Sequence, residues 1–187
     1  MCTVPALVRP YRRSDERGWL LCRLLSFFDT SYYDDVHTIR TTFDLPSVQL
    51  VADLDGELVG LLDIEVDGPA ATIDSIAVHP DHQRSGIASR LLAAALAELP
   101  SSVLTLDAWT REDPSALNWY RRQGFREHYQ YLHVYNTSDN PSSEFTAPSP
   151  LAVIHAFCHA RLEHETVLRS RFDRVYVCTQ FLRKVSR

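Results

Sequence analysis

"HPDHQRSGIASRLLAAALAEL", residues 79–99, decides the fold of this chain. A polar turn with one proline and one glycine runs directly into a Leu/Ala-rich segment with helical spacing. The preceding run "ATIDSIAV", residues 71–78, alternates and is rich in β-branched residues, which predicts a strand. A strand, a glycine-bearing turn and a helix N-terminus together predict an anion site, because the first N–H groups of a helix lack partners within the helix.

The turn carries further donors for an anion. Gly86 allows a ligand to approach the backbone closely, successive N–H groups of such a turn form a nest, and Gln83 and Arg84 add side-chain donors. The turn is not a Walker loop, because no G-x-x-x-x-G-K-[ST] is present, and it is not a dinucleotide fingerprint, because Gly86 is its only glycine. These residues favour phosphate or pyrophosphate, and they leave open an ordinary strand-to-helix connection as the alternative.

Length and composition narrow the class of protein. The 187 residues are 45% hydrophobic and 23% charged, which predicts one globular α/β domain. A formal net charge of -5 is unlike the basic surface of a nucleic-acid-binding protein, so no nucleic-acid partner is expected. No apolar run approaches the ~18 residues of a membrane span, so no membrane partner is expected. Four scattered cysteines and no secretory leader predict reduced thiols in a cytoplasmic protein; they are Cys2, Cys22, Cys158 and Cys178.

The order of predicted elements indicates an α/β (α+β) fold class, a mixed and mostly antiparallel twisted sheet with one β-α-β crossover in its middle. The clearest hairpin joins strands at 48–52 and 58–66 through Asp55-Gly56, a pair that readily adopts the positive φ of a tight turn. The other predicted elements are strands at 7–9, 71–78, 102–109, 125–136 and 174–182, helices after the first strand, within 29–46, at 86–99 and at 112–123, a loop at 136–150 and a helix at 151–172.

The helix predicted at 151–172 is an insertion before the last strand. It places His155 and His159 at i, i+4 on one face, with Cys158 adjacent in sequence. A zinc site needs three or four converging ligands, and this segment lacks the glutamate of an H-E-x-x-H motif, while Cys158 points away from the shared histidine face. No metal is therefore expected.

Two segments resemble the motifs of the GCN5-related N-acetyltransferase (GNAT) superfamily. "IDSIAVHPDHQRSGIASRLL" is similar to its acetyl-CoA-binding motif, whose core is Q/R-x-x-G-x-G/A, with Gln83, Gly86 and Ala88 at the three positions. "DPSALNWYRRQGF" resembles its second motif, N-x-x-A-x-x-x-Y-x-x-x-G-F. Asp113 stands where the family usually has Asn and sets a negative charge near the cofactor. The matching positions are Ala116, Tyr120, Gly124 and Phe125.

The resemblance implies a GNAT fold, with a single GNAT-type domain over residues 1–187 and core motifs at 71–127. It implies transfer of an acetyl group from acetyl-CoA to a primary amine of a small molecule or peptide, by direct attack in a ternary complex. A catalytically silent GNAT-like domain that binds acyl-CoA for regulation or assembly is the alternative. In the family, backbone groups of the strand pair with the pantetheine arm and amides of the turn bind the pyrophosphate. The cofactor-binding residues implied here are Ile76, Ala77, Val78, Gln83, Arg84, Ser85, Gly86, Ile87, Ala88, Ser89, Asp113 and Tyr120.

Amine acetylation needs a base for an ammonium of pKa near ~10 and an acid for the departing thiolate. The resemblance places Tyr120 at the family's position for that acid, and a packed aromatic side chain is the other interpretation. For the base, Asp74 shares a strand face with Ile76 by alternation. Asp107 ends the next strand, close to where some family members hold a catalytic Glu. A water chain without a dedicated base also stays open, as do two carboxylates of the hairpin, Asp63 and Glu65.

In the family, the acceptor pocket is built by the first helices, the loop between them and the last strands. Here that loop is "FFDTSYYDDVHTI", whose acidic and aromatic side chains could receive a cationic amine. A solvated acidic loop that its aromatic residues anchor to the core is the alternative. The sequence does not identify the acceptor, and a homodimer is the default expectation for a homo-oligomer. The loop residues concerned are Phe28, Asp29, Tyr32, Tyr33, Asp34 and Asp35.

Overall fold

The computed structural model describes residues 5–137 and 145–185. Its elements are β1 (Leu7–Pro10), α1 (Glu16–Phe27), β2 (Ser47–Leu54), β3 (Glu57–Asp67), β4 (Ala70–Val78), α2 (Ile87–Glu98), β5 (Thr105–Arg111), α3 (Pro114–Arg122), β6 (Arg126–Asn136), β7 (Ala156–Arg161), α4 (Glu165–Arg169) and β8 (Arg174–Lys184). The strands form one sheet in the order β1-β2-β3-β4-β5-β8-β6-β7. Only β4 and β5 pair in parallel within this sheet of the described residues, so the predicted fold class is confirmed.

The hairpin predicted around Asp55-Gly56 is confirmed. Asp55 has a φ of 53° and Gly56 a φ of 90°, so both residues adopt the left-handed conformation that joins tightly paired strands. The carboxylate of Asp53 accepts the Gly56 N–H at 2.8 Å and closes the turn. The turn fixes the register of β2 against β3, and β3 in turn supports β4, the strand that the anion motif follows.

The two faces of the sheet are covered by different helices. Successive residues of β3 point to opposite faces, so Leu61 packs with Trp19 of α1 while Leu62 packs with Leu91 of α2. α2 approaches the sheet closely because β3 carries Gly60 at the contact; a Cβ there would lie 2.7 Å from the Ile87 Cγ2 atom. α1 and α2 therefore cover opposite faces of the sheet.

The helix predicted at 151–172 is wrong. Residues 156–161 form β7, which pairs antiparallel with β6 at the edge of the sheet, and only α4, at 165–169, is helical. His159 lies opposite His133 in this ladder, and His155 precedes the strand, so the two histidines do not share a helix face. The exposed edge of β6 overrides the local helical spacing, because pairing satisfies its backbone groups.

The second short helix predicted within 29–46 is also wrong. Residues 28–34 form consecutive turns, and the chain then runs without regular structure to β2. Cys22, Cys158 and Cys178 are unpaired, and Cys2 lies outside the described residues. Among the helices of residues 5–137 and 145–185, none is long and apolar enough to cross a membrane.

Candidate active site

The two parallel strands diverge halfway along their length. β4 pairs with β5 only from Ala70 to Ile73, opposite Thr105 to Ala108. Just beyond this point the register between β3 and β4 shifts, and Asp74 is the extra residue of β4. Residues 74–78 consequently have no strand partner on their β5 side in the described sheet. The divergence opens a V-shaped gap that connects the two faces of the sheet.

A cleft of about 760 Å³ occupies this gap. On one side lie the start of α2 and the length of α3, and on the other lie the end of α1 and the turns after it. Ser85 and Asp107 are the two predicted site residues that do not line it. Those that do are Asp74, Ile76, Ala77, Val78, Gln83, Arg84, Gly86, Ile87, Ala88, Ser89, Asp113 and Tyr120.

The start of α2 is open toward the cleft. Gly86 is the N-cap with a φ of 82°, and Arg84 has a φ of 60°, so both residues adopt the left-handed backbone conformation. No atom lies within 4 Å of the position that a Gly86 Cβ would occupy. Ser85 donates its hydroxyl to the His82 carbonyl, so its side chain is engaged within the turn. The result is a concave, positively polarised helix start.

α3 is tied to α2 across the cleft. Asp113 caps α3 by accepting the N–H groups of Ser115 at 2.8 Å and Ala116 at 3.1 Å. The Ser89 hydroxyl accepts hydrogen bonds from the side chains of Trp119 and Gln123, at 3.4 and 3.0 Å. The negative charge of Asp113 therefore faces the N–H groups of its own helix, which offsets part of its repulsion for an anion in the cleft.

Tyr120 is enclosed by aromatic rings. It is 5% exposed, lies parallel to Phe181 at 5.1 Å and meets Trp119 and Phe125 edge to face. Burial raises the pKa of Tyr120 well above the usual value for a phenol. The side chain thus holds its proton at neutral pH, and it lines the cleft as a donor.

The predicted carboxylates lie in three different environments. Asp74 lines the cleft, is exposed, and accepts a hydrogen bond from the Ser75 hydroxyl at 3.1 Å. Asp107 lies outside the cleft and accepts hydrogen bonds from Thr72 at 2.6 Å and Gln180 at 2.5 Å. Asp74 is therefore the only one of the two predicted bases that reaches the gap.

The hairpin carboxylates face away from the cleft. Asp63 is completely buried, and its Oδ1 lies 2.7 Å from Arg40 Nη2 in an ion pair that is poorly aligned for a hydrogen bond. Burial raises the pKa of Asp63 to about 6, although Arg40 counteracts this. Glu65 is half-buried on β3 and does not line the cleft.

The turns after α1 are fastened to the sheet by arginines. The Arg111 backbone N–H donates to the Tyr32 hydroxyl at 2.8 Å, and its guanidinium lies 4.1 Å from the Tyr32 ring centre and donates to the Ser31 carbonyl. Arg23 pairs with Asp35 at 2.8 Å, and Arg174 pairs with both oxygens of Asp34. Asp34 and Asp35 are thus engaged within the protein, which argues against them as the groups that receive a cationic amine. Asp29, Phe28 and Tyr33 do not line the cleft.

Comparison with known proteins identifies the family. Residues 46–127 match the family model described as the acetyltransferase (GNAT) domain. Residues 46–127 belong to the GNAT superfamily. The two GNAT motifs lie on the two helices that flank the cleft, at the start of α2 and along α3. Trp109 and Arg111, on β5 between these motifs, belong to neither one, and sequence reasoning did not find them.

Two curated relatives match about half of this chain. Mycothiol acetyltransferase of Clavibacter sepedonicus is 39% identical over 96 residues, which is 50% of this chain and 31% of the relative. Mycothiol acetyltransferase of Clavibacter michiganensis is 37% identical over 87 residues, which is 46% of this chain and 28% of the relative. The match thus spans about a third or less of each relative's length.

Solved structures share the GNAT fold at low identity. The ribosomal-protein-S18-alanine N-acetyltransferase of Escherichia coli superposes with a TM-score of 0.60 and 16% identity, covering 97% of this chain and 94% of the other. The PaiA N-acetyltransferase of Thermoplasma acidophilum, solved in complex with coenzyme A, gives a TM-score of 0.59 and 15% identity, covering 67% of this chain and 92% of the other. No group of three or more histidine, cysteine or acidic residues that could hold a metal occurs in the described parts of the chain.

Proposed function

We propose that this protein transfers the acetyl group of acetyl-CoA to a primary amine of a small molecule or peptide, by direct attack in a ternary complex. The observation that carries the proposal is the divergence of β4 from β5 beside the open start of α2. A single gap then offers free strand backbone and a polarised helix start, which are the two features that an extended thioester with a pyrophosphate needs.

The residues around the gap fit acetyl-CoA as the donor. The position of a Gly86 Cβ is open, and residues 74–78 have no strand partner on their β5 side in the described sheet. The Val78 carbonyl accepts a hydrogen bond from the Gln83 side chain at 3.3 Å, which a bound donor would have to displace or share. Backbone groups of Ile76 and Val78 would pair with the pantetheine arm, and the amides from Arg84 to Ser89 would bind the pyrophosphate. The bound thioester supplies an activated acyl carbon. Ala77, Gln83, Asp113 and Tyr120 complete the proposed donor site.

Asp74 is the proposed acceptor of the proton that the incoming ammonium must lose, directly or through a water molecule. It is the one predicted base that lines the cleft, whereas Asp107 is held outside it by Thr72 and Gln180. The free amine nitrogen then forms a bond to the acyl carbon while the carbon–sulfur bond breaks. A backbone N–H of residues 74–78 would stabilise the charge that develops on the carbonyl oxygen.

Tyr120 is the proposed proton donor to the departing sulfur. Its raised pKa makes it a weaker acid than an alkyl thiol, whose pKa is about 8.5. Transfer of its proton to the sulfur is therefore uphill by itself, and it is completed because a proton returns to the phenolate in the same step. The nitrogen releases its second proton to solvent, which reprotonates Tyr120. One amide, one thiol and one net proton result, which balances the reaction.

A silent acyl-CoA-binding domain is the second candidate, and Asp113 is the observation in its favour. This carboxylate lines the cleft where the family's second motif has an uncharged Asn. The test is release of free CoA thiol in the presence of a panel of primary amines, with the acetylated amine identified by mass. The proposed transferase predicts stoichiometric thiol and amide, both strongly reduced in Asp74→Asn. Binding of acetyl-CoA without any amide from the panel would favour the silent domain.

A further inference from the structure

Ring-bearing side chains on β5, β6 and β7 project from the same face of the sheet, opposite to α2. The strand register places His133 beside His159 and Tyr131 two positions earlier on β6. Trp109 lies 5.4 Å from Tyr131, which lies 4.6 Å from His159 between ring centres. We refer to this set as the aromatic face; its members are Trp109, Tyr129, Tyr131, His133, Phe157 and His159.

Three members of the aromatic face are exposed, whereas His133 is 9% exposed and lies buried beneath them. Trp109 is 38% exposed, Tyr129 55% and Phe157 52%, although large aromatic side chains are usually covered. A contiguous exposed apolar surface of this kind marks a binding region. Trp109 also lines the cleft, so the aromatic face begins where the acceptor must enter and extends away from it.

The charged side chains near Asp74 differ in whether they are already paired within the protein. Arg23 is paired with Asp35, and the buried guanidinium of Arg111 is occupied by Ser31, Tyr135 and His133. Asp74, in contrast, forms no ion pair with a basic side chain anywhere in residues 5–137 and 145–185. Arg84 and Arg122 form no ion pair with an acidic side chain of the described residues and also line the cleft, on the side of α2 and α3 that is proposed to hold the pyrophosphate of the donor. A ligand beside Asp74 therefore meets a carboxylate that no cation of the described residues pairs.

We infer that the acceptor is an arylalkylamine, with its ammonium at Asp74 and its ring on the aromatic face beside Trp109 and Tyr129. This inference rests on the proposed function, because it names the amine that the same site takes. A flat ring gains from offset or edge-to-face contact with exposed Trp and Tyr rings. A carboxylate next to the amine would be repelled by Asp74, while Arg84 and Arg122 lie on the side proposed for the donor, so free amino acids should bind more weakly. Polyamines satisfy the charge but leave the rings uncovered.

The test measures binding of four amines to the full chain by calorimetry, with CoA present. The ligands are 2-phenylethylamine, n-butylamine, L-phenylalanine and spermidine. We expect 2-phenylethylamine to bind about fivefold to tenfold more tightly than n-butylamine, because only it covers the rings. L-phenylalanine, which carries the same ring and amine plus a carboxylate, should bind at least about tenfold more weakly than 2-phenylethylamine.

Variants connect this ranking to the named residues. Trp109→Ala and Tyr129→Ala should each remove most of the advantage of 2-phenylethylamine over n-butylamine. Asp74→Asn should weaken both amines together. Phe28→Ala removes an equally exposed ring outside the cleft, and Asp67→Asn removes an exposed carboxylate at the far end of β3, so both controls should bind like the parent. Unchanged acetyl-CoA affinity in every variant shows that the fold is intact.

The outcomes separate this inference from the proposed function. Equal binding of 2-phenylethylamine and n-butylamine, tighter binding of spermidine, or an unchanged ranking in Trp109→Ala and Tyr129→Ala would overturn the arylalkylamine inference and leave acetyl transfer standing. The expected ranking, with no acetylated 2-phenylethylamine formed from acetyl-CoA, would instead support the ligand class and overturn the proposed transfer to it.

Discussion

The backbone N–H of Arg111 donates to the hydroxyl of Tyr32 at 2.8 Å, joining two residues 79 positions apart. Arg111 ends β5, just past the point where β4 and β5 separate, and Tyr32 lies in the turns after α1 that line the cleft. The guanidinium of Arg111 adds a contact to the Tyr32 ring and a hydrogen bond to Ser31. The turns after α1, on the proposed acceptor side of the cleft, are thus anchored to β5.

Tyr32→Phe should impair the acceptor side of the site selectively. The change leaves the Arg111 N–H without its partner and lowers the free energy of unfolding by about 1–2 kcal/mol. We expect KM for the amine to rise about fivefold, the equivalent of about 1 kcal/mol, with the acetyl-CoA Kd unchanged. Steady-state kinetics and calorimetry measure the two quantities. Tyr33→Phe, at a tyrosine that is 52% exposed, is the matched control. Equal losses for amine and acetyl-CoA would contradict a role confined to the acceptor side.

Tyr120→Phe should lower turnover much more than donor binding. The ring contacts with Phe181, Trp119 and Phe125 are kept, and only the proposed donor to the sulfur is removed. Loss of a general acid predicts a fall in kcat of about 100-fold or more. The acetyl-CoA Kd and the unfolding midpoint should stay near the parent values. Tyr129→Phe removes an exposed hydroxyl as the control, and an unchanged kcat in Tyr120→Phe would assign the residue a packing role alone.

Gly60→Ala should disturb the proposed donor site by pushing the first turn of α2 away from the sheet. The new Cβ would lie 2.7 Å from Ile87 Cγ2, in the first turn of α2, so that turn must shift. Overpacking of this kind lowers the free energy of unfolding by about 1–3 kcal/mol and should weaken acetyl-CoA binding as well. Adding Ile87→Ala removes the clashing atom and should restore part of both. Gly18→Ala, where the new Cβ meets only the Leu58 side chain at 3.2 Å, is the control that should keep donor affinity.

Asp63 should make stability depend on pH in a specific direction. Its pKa is about 6 in the folded protein, above the usual 3.8 of an aspartate, so the folded state binds more protons between these values. Stability from this group is therefore present below about pH 4 and falls as pH rises toward 7, by about 3 kcal/mol at most. Urea unfolding of the parent and of Asp63→Asn over this range should give curves that diverge accordingly. Parallel curves would contradict the raised pKa.

Local patterns predicted the tight turn and the helix starts well. The positive φ of Gly86, the Asp113 cap and the tight turn at Asp55-Gly56 each depend on a few neighbouring residues, so the sequence alone identifies them. The segment at 151–172 failed because its helical spacing competes with a strand edge that lies elsewhere in the sheet. Residues 156–161 are strand only because β6 is available to pair with them.

The acceptor side could not be read from the sequence for a geometric reason. Asp107 and Trp109 project to the same side of β5, but Asp107 lies where β5 still pairs with β4, opposite Thr72. Trp109 lies one residue past the last pair, at Ala108, and so reaches the gap. The point of divergence depends on the register of three strands, which no local pattern reveals. The hydrogen bond from Arg111 to Tyr32 likewise joins residues far apart in the sequence, so no local pattern predicts it.

Calorimetric titration of acetyl-CoA into the parent, Gly86→Glu and Gly56→Glu tests the central claim most directly. Both glycines have a positive φ and open space at the Cβ position, so the two substitutions impose similar backbone strain and the same charge. Only Gly86 lies at the start of α2 in the cleft. The account predicts micromolar binding, about -8 kcal/mol, by the parent and Gly56→Glu, and none by Gly86→Glu. No binding by the folded parent, or equal binding by Gly86→Glu, would contradict it.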